Sequence, residues 1–191
     1  MWIDPKSGLL SAARHIASPN CDDRPVDAIV ELIVIHGISL PPGEFGGPWI
    51  DAFFCNRLNP QAHPFFKEIE TLHVSTHLLI RRDGELVQYV PFQRRAWHAG
   101  KSSFAGRAHC NDYSIGIELE GADEIPYTDC QYEQLIDVIL ALRAAFPRIT
   151  PERIVGHADI APGRKTDPGP AFDWPRLRAF TAAAIPNQRF F

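Results

Sequence analysis

Apolar positions along the chain follow two rhythms, short continuous or alternating runs and one long stretch at helical spacing, so strands and helices are expected to interleave. The run Val30–His36 is short, apolar and rich in β-branched residues, and it stops at Gly37. It predicts a buried central strand that delivers His36 to a loop. The Gly- and Pro-rich stretch after it is a predicted loop. Pro48 can open a short helix that buries Trp49, Ile50, Phe53 and Phe54, since a proline in the first turn loses no hydrogen bond. Leu72–Ile80 and Glu85–Val90 flank Arg81-Arg82-Asp83-Gly84, and an Asp-Gly pair between β-prone runs predicts a hairpin. Tyr113–Glu120 alternates, placing Tyr113, Ile115, Ile117 and Leu119 on one face and Ser114, Gly116, Glu118 and Glu120 on the other.

Thr128 followed by Gln131 has the form of a capping box, after which Tyr132, Leu135, Ile136, Ile139, Leu140 and Phe146 recur at helical spacing. This longest helix should end before Pro147. Thr150-Pro151-Glu152 predicts one helical turn, and Ile154–His157 a small strand that again places a histidine at its end. The Pro- and Gly-rich loop that follows leads to Asp173, a predicted N-cap for a last helix from about Trp174 to Ala184. The expected architecture is α/β, with a central mixed β-sheet flanked by helices in a single domain spanning 1–191, its core about 16–184.

Composition narrows the partners. Of 191 residues, 45% are hydrophobic and 22% charged, which suits one packed core. The net charge is −4 and the 19 basic residues are scattered, unlike a nucleic-acid footprint. Asp4 and Pro5 stand where a secretory signal would carry positive charge and then an apolar run. No segment reaches the roughly 18 apolar residues of a membrane helix. A cytoplasmic monomer with neither nucleic acid nor membrane as partner is expected. Cys21, Cys55, Cys110 and Cys130 are widely separated and are expected to be reduced structural thiols.

A catalytic zinc site needs three nitrogen or oxygen ligands from converging element ends and one open position. His36 and His157 meet that description, and Asp167, in a loop bracketed by Pro162 and Pro168, could fold back towards the second histidine. Alone the pattern is weak. A histidine at a strand end is more often structural, and His15, His63, His73, His77, His98 and His109 compete for the role. His73 and His77 would lie about 13 Å apart along one strand at roughly 3.3 Å per residue, too far to share a metal. Glu118 and Glu120 read as solvated strand carboxylates and Lys165 as an ordinary loop cation. Trp97 could stack on a sugar or peptide face, or equally anchor its loop.

The segments IVIHGISLPPGEFGGPWI, HVSTHLLIRRDGELVQYVPF, RAWHAG, CNDYSIGIELEG, YTDCQY and GHADIAPGRKTDPGPAFDW together resemble the bacterial cytosolic anhydromuramyl-peptide amidases. The resemblance runs in order from about residue 16 to residue 180. That family belongs to a wider group with phage amidase-type lysozymes and peptidoglycan recognition proteins. The resemblance implies a mixed sheet with helices on its faces, Zn2+ held by His36, His157 and Asp167, and catalytic roles for Glu118 and Lys165. It implies a small muropeptide substrate, cut at the amide between the lactyl group and L-alanine during cell-wall recycling. Glu118 would then move the proton of the attacking water, and Lys165 would stabilise the oxyanion.

Two positions depart from the family pattern. Gly37 stands where many relatives carry asparagine, and Phe65 where several carry tyrosine. Gly37 puts substrate affinity, rather than metal binding, in question, while Phe65, which lacks the hydroxyl, is expected to tune activity rather than abolish it because Glu118 and Lys165 remain. The alternatives are a broader amidase acting on intact wall and a muropeptide-binding module without catalysis. The module is disfavoured because every ligand and catalytic position is retained.

Overall fold

Short apolar strands can be buried on both faces only if helices or loops cover each side, and the chain does this around one mixed sheet. The computed structural model describes residues 1–181. They form β1 (Arg14–His15), β2 (Cys21–Asp22), β3 (Leu32–Ile38), α1 (Trp49–Phe54), α2 (Pro64–Ile69), β4 (Leu78–Ile80), β5 (Leu86–Gln88), β6 (Arg95–Ala96), β7 (Ser103–Phe104), β8 (Arg107–Ala108), β9 (Ser114–Glu120), α3 (Asp129–Ala145), β10 (Ile154–Gly156), α4 (His157–Ile160) and α5 (Trp174–Thr181). The main sheet has the order β1-β5-β4-β9-β3-β10. Only the β4–β5 hairpin within it is antiparallel. The expected mixed sheet with flanking helices is the fold observed.

One face of the sheet packs Ile33, Ile35, Ile115 and Ile117 against Leu135, Val138, Ile139 and Leu142 of α3. The expected capping box starts that helix. Gln131 N–H donates to Thr128 Oγ1 at 3.2 Å, and Thr128 N–H donates back to Gln131 Oε1 at 3.0 Å. The opposite face is covered by two separate groups. Leu32 and Val34 meet Ala99, Cys110, Tyr113 and Ile160, while Leu79 and Val87 meet Ile50, Phe53, Phe54 and Phe66 from α1 and α2. His36 and Glu118 emerge on this second face.

Several expected boundaries moved. β3 continues through Gly37 to Ile38, because its parallel ladder with β9 stays in register as far as Ile38 against Glu120. His36 therefore sits inside the strand rather than at its end. Only Leu78–Ile80 of the strand expected over 72–80 pairs in the sheet. Before it the chain spends its polar groups elsewhere. Ser75 Oγ donates to Asn20 O at 2.6 Å and Thr76 Oγ1 to Gly116 O at 2.8 Å, bonds that compete with a regular ladder.

The hairpin forms with a three-residue loop. Gly84 N–H donates to Arg81 O at 2.9 Å and Gly84 has φ of 88°, the conformation that favours glycine there. Leu140, expected on the buried face of α3, is exposed. Helix α2, unforeseen, starts where the His63 ring caps Phe65 N–H at 3.2 Å and Pro64 takes the first turn. Asp173 caps α5 through Arg176 N–H at 2.9 Å. The expected extension of α5 to Ala184, and the ends of the expected core and domain at 184 and 191, lie outside the described residues. All four cysteines are free. Among the described residues no helix is long and apolar enough to cross a membrane.

Candidate metal centre and active site

Three adjacent parallel strands bring the first groups together. Cα register sets His36 of β3 opposite Glu118 of β9, and Ile35 of β3 opposite Gly156 of β10. His157, the next residue after β10, thus arrives level with His36. Helix α4 and a tight turn then carry the chain back, and Ala158 N–H donates to Asp167 O at 3.0 Å. Asp167 is returned beside the histidine ten positions before it.

The outcome is a compact triangle. His36 Nδ1 lies 3.0 Å from His157 Nδ1, and each is 3.1 Å from Asp167 Oδ2. These three form a possible metal site. A tetrahedral metal ion with bonds of about 2.0–2.1 Å has ligand–ligand edges of about 3.3–3.4 Å, so the triangle is only slightly contracted. Burial pushes the His36 pKa down to about 4, despite the Asp167 carboxylate that pulls it up. Burial alone would raise the Asp167 carboxyl, but the two imidazoles reverse this and hold it well below the ordinary carboxylate range. A buried His36 kept neutral beside an ionised carboxylate offers lone pairs directed at one point. That donor chemistry suits a divalent cation.

Glu118 and Glu120 share a strand face but differ in their partners. Glu120 Oε1 accepts Gly46 N–H at 2.6 Å and Oε2 accepts Arg82 N–H at 3.2 Å, with Arg81 at 3.5 Å. It is consumed in fixing loops. Glu118 Oε2 is buried with no hydrogen-bond partner among the described residues. Burial first, and the Asp167 charge second, push its pKa well above the ordinary value of 4.5, with Lys165 opposing. Neither glutamate is the solvated residue that alternation alone suggests, because β9 is covered on both faces.

That raised pKa has a consequence for stability. Folded, metal-free protein holds the Glu118 proton to higher pH than the unfolded chain does, so the contribution of this group to stability is full below about 4.5, the unfolded value, and is lost as pH rises towards its folded pKa. Glutamine has no such proton to lose. Metal-free Glu118→Gln should therefore melt above the parent by a margin that widens from pH 4 to pH 8. Thermal midpoints across that range check this, and a parent as stable as the variant at pH 8 would contradict it.

His36, Glu118, His157, Lys165 and Asp167 all line one cleft of about 500 Å³. Its apolar wall includes Leu40, Phe53, Phe54, Phe65, Ile69 and Val74. Lys165 stands exposed at the rim, two residues before Asp167. Trp97 is not among the described residues lining the cleft, and its indole N–H donates to Asp22 Oδ1 at 3.2 Å. That placement fits a loop anchor. The competing histidines separate cleanly. His73 and His109 are exposed, His63 caps α2, His15 meets Leu10 O, and His77 is buried against Gly116 N–H. His98 alone among them touches a proposed ligand, His36.

One positioning residue, Tyr127, escaped sequence reasoning. Tyr127 Oη donates to Pro168 O at 2.9 Å, steadying the loop that carries Asp167. A Cβ on Gly37 would lie 2.4 Å from that hydroxyl. The glycine that departs from the family pattern is thus matched to Tyr127, which occupies the space of a side chain. Phe65 packs into the apolar wall, where its ring needs no hydroxyl partner.

A profile of the N-acetylmuramoyl-L-alanine amidase family matches residues 25–170. The chain belongs to this family. The amidase is 61% identical over 178 residues to the 1,6-anhydro-N-acetylmuramyl-L-alanine amidase AmpD of Salmonella typhimurium strain SL1344, covering 93% of this chain and 95% of that one. A crystal structure of a selenomethionine AmpD derivative superimposes on the amidase with a TM-score of 0.91 at 58% identity, covering 95% of this chain and 99% of the other. The AmiD amidase of Escherichia coli, in complex with its substrate anhydro-N-acetylmuramic acid-L-Ala-D-γ-Glu-L-Lys, matches at a TM-score of 0.58 and 31% identity. That match covers 82% of this chain and 60% of AmiD.

Proposed function

We propose that the protein hydrolyses the amide joining the lactyl group of 1,6-anhydro-N-acetylmuramic acid to L-alanine of the stem peptide, in cytoplasmic muropeptide recycling. Zinc held by His36, His157 and Asp167 would serve the reaction. The observation that carries this reading is the convergence of three donor atoms 3.0–3.1 Å apart beside a buried carboxylate with an unpartnered oxygen. Bound zinc supplies an acidified water and a Lewis acid for the amide carbonyl.

The chain's own groups account for the proton and the charge. Glu118, with a raised proton affinity, takes the proton released as water attacks the amide carbon. It returns that proton to the departing alanine nitrogen, giving the lactyl carboxylic acid and the alanine amine, and at neutral pH the acid's proton passes to the amine to leave a carboxylate and an ammonium. Lys165, at the rim, faces the oxyanion of the tetrahedral intermediate. The apolar wall excludes water and strengthens both effects.

Lys165→Ala should retain zinc and lose about 10²–10³ in kcat, the cost of removing one oxyanion donor. Metal analysis and steady-state rates on one preparation check it. Loss of zinc together with activity would instead make Lys165 part of the metal site.

The anhydro sugar is favoured over intact wall by the identity to AmpD across 93% of the chain. Mass spectrometry of the products from anhydro- and non-anhydro-muropeptides tests the choice. Release of free stem peptide at a higher kcat/KM from the anhydro substrate is expected. Equal rates on both, or preference for insoluble wall, would favour the broader amidase, and binding without cleavage the module.

A further inference from the structure

An imidazole that binds a metal through Nδ1 must carry its proton on Nε2, so some group has to hold that tautomer. For His36 the group is His98. His36 Nε2 lies 2.9 Å from His98 Nδ1, His98 Nε2 lies 3.1 Å from Ser114 Oγ, and Ser114 Oγ lies 2.6 Å from Cys110 O.

The carbonyl at the end of this chain settles every proton in it. Cys110 O can only accept, so the Ser114 hydroxyl donates to it. The Ser114 oxygen then accepts from His98 Nε2–H. His98 Nδ1 is left bare and accepts from His36 Nε2–H, which leaves His36 Nδ1 free to face His157 and Asp167. The neighbouring residue does the same for the second histidine, since Ala99 O lies 3.3 Å from His157 Nε2.

The segment is itself held. Asn111 Oδ1 accepts both His98 N–H at 3.1 Å and Ala99 N–H at 2.8 Å. The His98 ring lies on Gly116, where a Cβ would come within 2.5 Å of it. A glycine on a central strand is thus explained by the ring it admits.

We propose that His98 is a positioning residue of the metal centre: backed by Ser114, it fixes His36 in the tautomer that presents Nδ1. This rests on the reading that His36, His157 and Asp167 hold zinc. The test is zinc affinity, measured by chelator competition on the parent, His98→Phe, His98→Asn and Ser114→Ala, with long-range proton–nitrogen NMR of the imidazoles in the zinc-loaded parent.

His98→Phe keeps the ring but leaves His36 Nε2–H without an acceptor, and should weaken zinc binding about 10–100-fold. His98→Asn, whose Oδ1 can stand in for Nδ1, should recover most of that loss. Ser114→Ala should weaken zinc less than His98→Phe does. The spectrum should place the His98 proton on Nε2. Zinc held by His98→Phe as tightly as by the parent, or no better by His98→Asn than by His98→Phe, would overturn the proposal. So would a His98 proton on Nδ1, a result that decides the matter even if a variant fails to fold. A parent that binds no zinc would instead refute the underlying metal site.

Discussion

Asp167→Ala is expected to abolish both zinc retention and amide cleavage. Asp167 is the only anionic donor of the three, and its Oδ2 stands 3.1 Å from each imidazole nitrogen. Without it, two imidazoles face each other across 3.0 Å with no charge to balance a divalent ion. The loop itself should survive, because Ala158 N–H reaches the backbone oxygen of residue 167 and Tyr127 reaches that of Pro168. Folding and function thus come apart in this variant. Metal content after dialysis, circular dichroism and the cleavage rate on one sample separate them. Full activity in zinc-free Asp167→Ala would contradict the assignment.

Glu118→Gln should keep zinc and lose about 10²–10⁴ in turnover, the usual contribution of a positioned acid–base group. Its partner atoms make the prediction specific. Glu118 Oε2 has no structural bond to break, so the amide is accommodated without disturbing the fold. Lost turnover should therefore accompany the gain in metal-free stability described above, as befits a group whose burial serves the reaction rather than the fold. The kinetics should show a fall in kcat with little change in KM. A variant that loses zinc, or keeps its turnover, would assign the proton transfer to another group.

Much of this was legible in the sequence, and the failures share a cause. Elements defined by local chemistry came through: the capping box at Thr128, the Asp83-Gly84 hairpin and the N-cap at Asp173 are each set by residues a few positions apart. The strand expected over 72–80 came through only at Leu78–Ile80, because Ser75 and Thr76 bond to Asn20 and Gly116, and no local pattern reveals such distant partners. Alternation placed Glu118 and Glu120 on one face correctly. It could not tell that the face is covered, nor that Gly46 and Arg82 would claim Glu120 and leave Glu118 free.

The proposed ligand positions followed from the ordered family motifs, and the sheet register gives a physical reason, with His36 and Glu118 opposite each other on neighbouring strands and His157 level with them just beyond β10. The excluded pair, His73 and His77, is separated here by burial rather than by a regular strand, one being exposed and the other buried. Tyr127 and His98 act through contacts with residues far away in the chain, and their trace in the sequence is the glycines that make room for them, Gly37 and Gly121 for Tyr127 and Gly116 for His98.

One zinc ion on the His36, His157 and Asp167 triangle is the proposed requirement for cutting the lactyl–alanine amide. The most direct measurement strips the metal with a chelator, adds zinc back in steps, and follows free stem peptide and anhydro-N-acetylmuramic acid by mass spectrometry. The stripped enzyme should show no cleavage, and the rate should rise linearly to a plateau at one zinc per chain. Cleavage at the same amide by fully metal-free enzyme, or no cleavage at full zinc occupancy, would contradict it.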